Sequence, residues 1–335
     1  MTTITTMTTS LPLIRLSAIN PFLMELRERG QDAASLLGSL GLPENVPASH
    51  DLFVAAPSIY ELVERSADVA GDSFLGYSIG CQLDLQAWEP IAKAVQEADT
   101  IGEMLSRFVV YALDHSSSTR FFLRTEGDRS TFGFERVVEP TIKPAQNDAF
   151  YLGFISSMLM RAIHEHWDST SVLFRVADPD VIPATASRLR VAKGDNHGIQ
   201  VKFPTAWLFE HFEKSSFHAD SPAYDITNPP NSLIGSVRQA LIHHLHEPGL
   251  TVDKAANICG YKKRRLSKGL REEGTTLARE IAKLRAERAG KELANSDSRI
   301  ADIAQAVGFK DPTVFSRAFK NWTGQSPQEY RKTHR

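Results

Sequence analysis

The sequence predicts two folded units of different class: an α+β unit over residues 1–220, then an all-helical unit over 232–335, joined by a linker at 221–231. Three observations lead there. The apolar pattern changes from a helical period to strict alternation near residue 119, and the last hundred residues return to a helical period. The segment SPAYDITNPPN, residues 221–231, holds three prolines and no amphipathic pattern, which suits a connection rather than a core element. Charge is also divided. Residues 251–335 carry 19 of the 38 Lys and Arg but 10 of the 40 Asp and Glu, leaving +9 there and −11 elsewhere, although the formal net charge is −2. A chain of 335 residues, 42% hydrophobic, has material for more than one core.

From Asn20 to about Ala98 the pattern is helical: PFLMELRERG is followed by AAPSIYELVERSADVAG, in which Ile59, Leu62, Val63, Ala67 and Ala70 share a face and Gly71-Asp72 ends the helix. TIGEMLSRFVVYALDH starts another, with Thr100 and Glu103 at capping-box spacing. Alternation then takes over in STRFFLRTEGDRSTFGFERVV, read as a hairpin turning at Gly127-Asp128. Leu123 opposes Phe132 and Phe121 opposes Phe134 on the core face. Arg120, Phe122 and Arg124 lie across from Glu135, Gly133 and Thr131 on the other. A long helix follows over Asn147 to Trp167, with more large apolar residues than one packed face needs, so its surplus is expected to form an isologous dimer contact. Further strands are expected at SVLFRVA and GIQVKFP.

The basic tail repeats itself. Ala255-Ala256, Gly260 and Tyr261 recur 48 positions later as Ile303-Ala304, Gly308 and Phe309, and Leu266 to Leu270 recurs 49 later as Phe315 to Phe319. Each copy is a short helix, a glycine turn and a second helix rich in basic and hydroxyl side chains: a double helix-turn-helix. The helix between them, TTLAREIAKLRAERAGKELA, is long enough to hold the copies at a fixed separation. Through IADIAQAVGFKDPTVFSRAFKNWTGQSPQEYR, residues 300–331, the tail resembles the AraC family of transcription regulators over about 85 residues. It departs at Leu270, where the family usually has phenylalanine, and in the run Lys262-Lys263-Arg264-Arg265. The resemblance implies promoter DNA as partner, with RNA polymerase beside it. It also implies that Arg264, Ser267 and Lys268 in the first unit, and Thr313, Ser316, Arg317 and Lys320 in the second, face the duplex. Arginine can grip guanine O6 and N7, whereas Lys262, Lys263, Arg265 and Lys320 suit phosphate.

Through FLGYSIG and AWEPIAKAVQEADTIGEML the body resembles the OruR-like branch of that family, which implies a regulatory domain that binds an effector and forms a homodimer. Arg120 and Arg124 spell RxxxR, and Asp128, Ser130 and Gly133 spell DxSxxG; the pair resembles the cyclic-di-GMP signature of PilZ domains. In a strand Arg120 and Arg124 share a face about 13 Å apart, with Phe122 between them as an apolar platform and Gly133 opposite leaving room for a ligand. Three readings stay open: cyclic-di-GMP as effector, another small metabolite, or a body that only dimerises. In the first two the protein is a ligand-controlled regulator, an activator; in the third its DNA binding is constitutive. An Arg120–Glu135 surface salt bridge is the bland account of the hairpin. His164, His166, His243, His244 and His246 have no metal-site spacing and read as a solvated helix face, and no nucleophile motif appears, so no enzyme and no metal are expected. Cys81 and Cys259 read as reduced packing residues. With no apolar run long enough for a membrane helix and no leader pattern, a cytoplasmic location is expected.

Overall fold

The structure is a computed structural model that describes residues 10–43, 52–84, 88–186, 188–217 and 229–334. The chain divides into two compact units, Pro12–Pro229 and Pro230–Arg335, with Ser10 and Leu11 grouped with the second. Within that second unit the Leu11 N–H donates to Ser236 Oγ at 2.8 Å. Of the linker expected at 221–231, residues 221–228 lie outside the described residues.

In the first unit an antiparallel ribbon of β1 (Leu13–Arg15) and β2 (Phe53–Ala55) precedes α3. Around it lie α1 (Asn20–Glu28), α2 (Ala33–Ser39), α3 (Ala56–Ala70) and α4 (Leu75–Gln82). The ribbon is a finding the helical reading of this stretch lacked. Gly71, at φ 62°, closes α3 in the left-handed conformation that the sequence reserved for it. Next come α5 (Glu89–Glu97) and α6 (Ile101–Tyr111); Thr100 caps α6 by accepting from the Glu103 N–H.

The hairpin β3 (Thr119–Glu126) and β4 (Arg129–Arg136) forms in the expected register, Leu123 opposite Phe132 and Phe121 opposite Phe134, over Gly127 at φ 61°. With β5 (Leu173–Val176), β6 (Arg190–Lys193) and β7 (Gln200–Pro204) it makes a five-stranded sheet in the order β3-β4-β7-β5-β6, antiparallel except for β5 beside β6. One sheet face is core: Phe121, Phe132, Phe134, Phe174, Val201 and Phe203 are buried against α6 and α7 (Ala145–Ile163). Each such side chain contributes about 1.5–3 kcal/mol of transfer free energy.

Helix α7 spends most of its apolar surplus inside the unit. Leu152, Ile155, Met158 and Leu159 are fully buried, and the helix also presses against α4 with almost no gap. A Cβ added at Gly76 would meet the Gln146 carbonyl oxygen at 2.2 Å, and one at Gly80 the Phe150 oxygen at 2.0 Å. The glycines of FLGYSIG are thus a backbone-to-backbone contact. Met160 stays exposed on α7 itself, and the other exposed large apolar residues of this unit are Met24, Val69, Phe74, Val110, Leu113 and Phe209.

Two buried ionic groups seat the start of α7. Arg136 Nη2 lies 2.5 Å from Asp148 Oδ1 and donates to Asn147 Oδ1 at 2.7 Å, while Asp148 Oδ2 accepts from the Ala177 N–H. From α3, Glu64 accepts the Gln146 and Asn147 N–H groups at the helix N-terminus. Burial nevertheless pushes the Glu64 carboxyl up to about 7.

The second unit is all helix: α8 (Leu233–Leu241), α9 (Val252–Ile258), α10 (Lys263–Glu272), α11 (Leu277–Asn295), α12 (Ile300–Ala306), α13 (Pro312–Thr323) and α14 (Pro327–Thr333). The pairs α9–α10 and α12–α13 turn at Gly260 and Gly308, both at positive φ. A side chain at Gly308 would strike the Leu245 carbonyl oxygen at 2.6 Å. Helix α11 packs against members of both pairs; its 19 residues span about 28 Å at 1.5 Å per residue. Its Glu280 is fully buried and held by Thr275, Lys283 and Arg238. His244, expected on a solvated face, is buried with Nδ1 2.7 Å from Glu247 Oε1.

Candidate DNA interface and effector groove

The second helix of each pair carries the residues expected at DNA. In α13, Asp311 Oδ1 accepts from the Thr313 and Val314 N–H groups, and those bonds hold its carboxyl below the usual range. Pro312 sits in the first turn. Phe315 and Phe319 are fully buried with Ile303, Ala304 and Val307, which fixes the opposite face outward. Thr313, Arg317 and Lys320 are exposed there. Val314 is 51% exposed and one turn from Arg317. The local cause is the cap, since Val314 falls in the first turn, before the buried stripe begins. Ser316 spends its hydroxyl on the Pro312 carbonyl oxygen at 2.8 Å.

In α10 the buried anchors are Leu266 and Leu270, and Lys262, Lys263, Arg264, Arg265 and Lys268 are exposed, with Ser267 partly so. Three of these are engaged within the unit: Lys263 Nζ lies 3.0 Å from Asp253, Lys268 Nζ 3.8 Å from Glu272, and the Arg265 guanidinium stands over the Tyr261 ring. Exposed pairs of this kind are worth little and are easily exchanged for phosphate. Arg264 and Arg317 make no ion pair among the described residues.

The second candidate site is the outer face of the sheet. Register places Phe122, Gly133, Gln200 and Arg175 in one row across it, and Arg124, Thr131, Lys202 and Leu173 in the next. Seven of these eight, all but Gly133, line together with Glu126 a groove of about 250 Å³ that holds Arg124, Arg175 and Lys202. The Arg124 guanidinium lies 4.2 Å from the Phe122 ring centroid and its Nη2 3.0 Å from Glu135 Oε1. The ion pair expected between Arg120 and Glu135 is therefore made by Arg124 instead, diagonally; Arg120 is exposed on the same face.

The DxSxxG residues do not join that groove. Asp128 is in the exposed turn, and its carbonyl accepts from the Thr205 N–H. Ser130 is buried on the opposite face, its Oγ 3.0 Å from both Thr125 Oγ1 and Thr205 Oγ1. Alternation with Phe132 already placed Ser130 on the core face, a signal in the sequence that the motif string obscured. Gly133 leaves no space for a ligand: a Cβ there would meet the Ile199 carbonyl oxygen at 2.1 Å, so the adjoining backbone is what requires glycine. Arg175, Gln200 and Lys202 were absent from the sequence-derived site, because the neighbour order β4-β7-β5 that assembles them is not local information. Among the described residues, no three or more His, Cys, Asp or Glu side chains cluster as a metal site, and no helix is long and apolar enough to cross a membrane.

Two helix pairs that turn alike at Gly260 and Gly308, each offering an exposed basic face, define a double helix-turn-helix protein. Residues 255–333 match the family model of the helix-turn-helix domain, and residues 30–189 that of the arabinose-binding domain of AraC transcription regulator, N-terminal. Over 85 residues the chain is 34% identical to the probable transcription factor PqrA of Proteus vulgaris, covering 25% of this chain and 70% of that one. It is also 34% identical over 98 residues to the transcriptional activator NphR of a Rhodococcus species, 29% of either chain. The crystal structure of the transcriptional regulator CdpR from Pseudomonas aeruginosa aligns with 92% of this chain and 98% of its own at 18% identity, with a TM-score of 0.36. The chain belongs to the AraC family of transcription regulators. It spans less than a third of the length of the first curated relatives it matches, NphR and the raffinose operon regulator RafR of Pediococcus pentosaceus.

Proposed function

We propose that this protein is a dimeric, ligand-controlled transcriptional activator of the cytoplasm that engages promoter DNA through α10 and α13, beside RNA polymerase, and answers to cyclic-di-GMP at the outer sheet face. The DNA reading is carried by one observation: the exposed, uncommitted Arg317 beside Val314 on a helix held in place by two buried phenylalanines. Arginine discriminates guanine and an apolar side chain the thymine methyl, so this face can read sequence, whereas the lysines of α10 supply phosphate contacts.

For the effector, support comes from the cationic groove. A dianionic, planar molecule finds Arg124 stacked on Phe122, with Arg175 and Lys202 converging from two further strands and Arg120 on the same face. A sugar or fatty acid calls for neutral polar or apolar walls instead. Calorimetry of the full chain with cyclic-di-GMP tests the reading. The wild type should bind, and Arg120→Ala and Arg124→Ala should each lose about 1.5–3 kcal/mol, the scale of a charge-assisted hydrogen bond. Arg175→Ala should lose affinity too. Ligand should raise affinity for selected promoter DNA, and DNA should raise affinity for ligand by the same factor. No heat with the wild type, or unchanged affinity in all three variants, would refute the effector assignment while leaving the DNA assignment intact.

A further inference from the structure

The first unit contains a second cavity that shares no residue with the outer groove. Its volume is about 360 Å³, within the range of small-molecule sites. The walls come from five places in the chain: β1 with the segment after it, α3, the residues flanking the start of α5, the residues leading into β3, and α7. Aromatic rings make much of the lining, with Phe22, Trp88, Phe150 and Tyr151 among them; the Phe22 and Phe150 rings lie 5.5 Å apart. Such walls favour a flat or branched apolar body.

Polar groups are few and differ in what they can offer. Arg15 is 2% exposed, with its guanidinium 4.9 Å from the Phe53 ring centroid and Nη2 donating to the Asp114 carbonyl. Tyr60 is as deeply buried. Its hydroxyl lies close to Ser118 and Arg136 yet makes no hydrogen bond of acceptable geometry among the described residues. A buried donor left so costs free energy that a bound acceptor would recover. The lining carboxylate, Glu89, sits 3.2 Å from His115 Nε2; burial raises its pKa, and the nearby positive charge of Arg15 works against that rise. The permanent positive charge of Arg15 and the Tyr60 hydroxyl are both donors, and together they select for an acceptor that carries negative charge.

We propose that this cavity binds a second effector, a small aromatic or branched aliphatic carboxylic acid, its ring against Trp88 and Phe22 and its carboxylate toward Arg15 and Tyr60. The regulator would then take two chemically distinct inputs, one on each side of the same sheet and helix layer. The alternative ligand chemistry, an amine held by Glu89, becomes an outcome of the test.

Calorimetric titrations of the full chain with benzoate, phenylacetate and indole-3-acetate, each beside its carboxamide and the corresponding amine, decide between them. At least one acid should bind at least about tenfold more tightly than its carboxamide, and the amines should bind more weakly still. Tyr60→Phe, which keeps the ring and removes the hydroxyl, should weaken the acid about three- to tenfold. Arg15→Gln should bring the acid down to the level of its carboxamide, with circular dichroism checking the fold; should that variant unfold, Tyr60→Phe alone carries the decision. Arg124→Ala should leave acid binding as it is, which separates this site from the cyclic-di-GMP groove. The proposal is overturned by any of four results: no acid binding below about 1 mM, equal affinity for acid and carboxamide, tighter binding of an amine, or wild-type affinity in Tyr60→Phe.

Discussion

Replacing Arg317 with alanine isolates sequence reading from everything else the second unit does. Arg317 is exposed on α13 and forms no ion pair among the described residues, so its removal costs only a weak, solvent-screened attraction to the capping Asp311. Alanine is also the better helix former, and the Asp311 cap and the Phe315–Phe319 anchor are untouched. Thermal stability should therefore stay at the wild-type value. A bidentate arginine–guanine contact is worth about 1–3 kcal/mol of discrimination, a loss of roughly 5- to 150-fold in affinity for the selected site. Fluorescence anisotropy with a selected duplex and a scrambled one, each at several salt concentrations, reads both quantities. The loss should fall on the selected duplex, whereas Lys320→Ala should weaken both alike and flatten the salt dependence by about one counterion. An equal loss on both duplexes for Arg317→Ala would show that it meets only phosphate.

Val314→Ala should lower affinity for sites with a thymine at one position and leave stability unchanged, read by the same anisotropy assay across single-base variants. Gly133→Ala should destabilise the chain by about 2 kcal/mol or more in chemical denaturation, with or without cyclic-di-GMP, because the added methyl meets the Ile199 carbonyl oxygen. Glu64 gives a pH dependence. With its carboxyl raised to about 7 the folded state holds a proton that the unfolded chain releases near 4.5, so this contribution is complete below that pH and lost as pH rises through 7. Against Glu64→Gln, the wild type should lose about 3 kcal/mol between pH 4.5 and pH 8; parallel stability profiles would contradict this.

Much of the architecture was legible because it rests on local periodicity. The hairpin register, the end of α3 at Gly71 and the echo that yields α9–α10 and α12–α13 each follow from residues within a few positions of one another. What escaped depends on partners distant in sequence. The short ribbon β1–β2 and strand β6, whose RVAK lacks clear alternation, exist because a neighbour pairs with them. The groove lysine and second arginine, Lys202 and Arg175, point outward by alternation alone, but only the sheet order brings them to Arg124. The inner cavity is harder still, since Arg15, Tyr60, Glu89 and His115 share no motif. Helix α7 shows the opposite failure: its apolar excess was visible, and the glycines that let α4 absorb it were read only as a family likeness.

Because one continuous helix, α11, packs against both reading units, the protein carries its own ruler. A residue inserted in α11 would turn one unit by about 100° relative to the other, and the span cannot be stretched by a loop. The duplex must match that phase. A base pair added between the two half-sites rotates them by about 34°, from roughly 10.5 base pairs per turn, so such an insertion should damage a promoter more than most substitutions within a half-site. On the proposed function, promoters read by this chain would be constrained in length as strictly as in letter, and new targets would arise by point mutation but hardly by insertion or deletion.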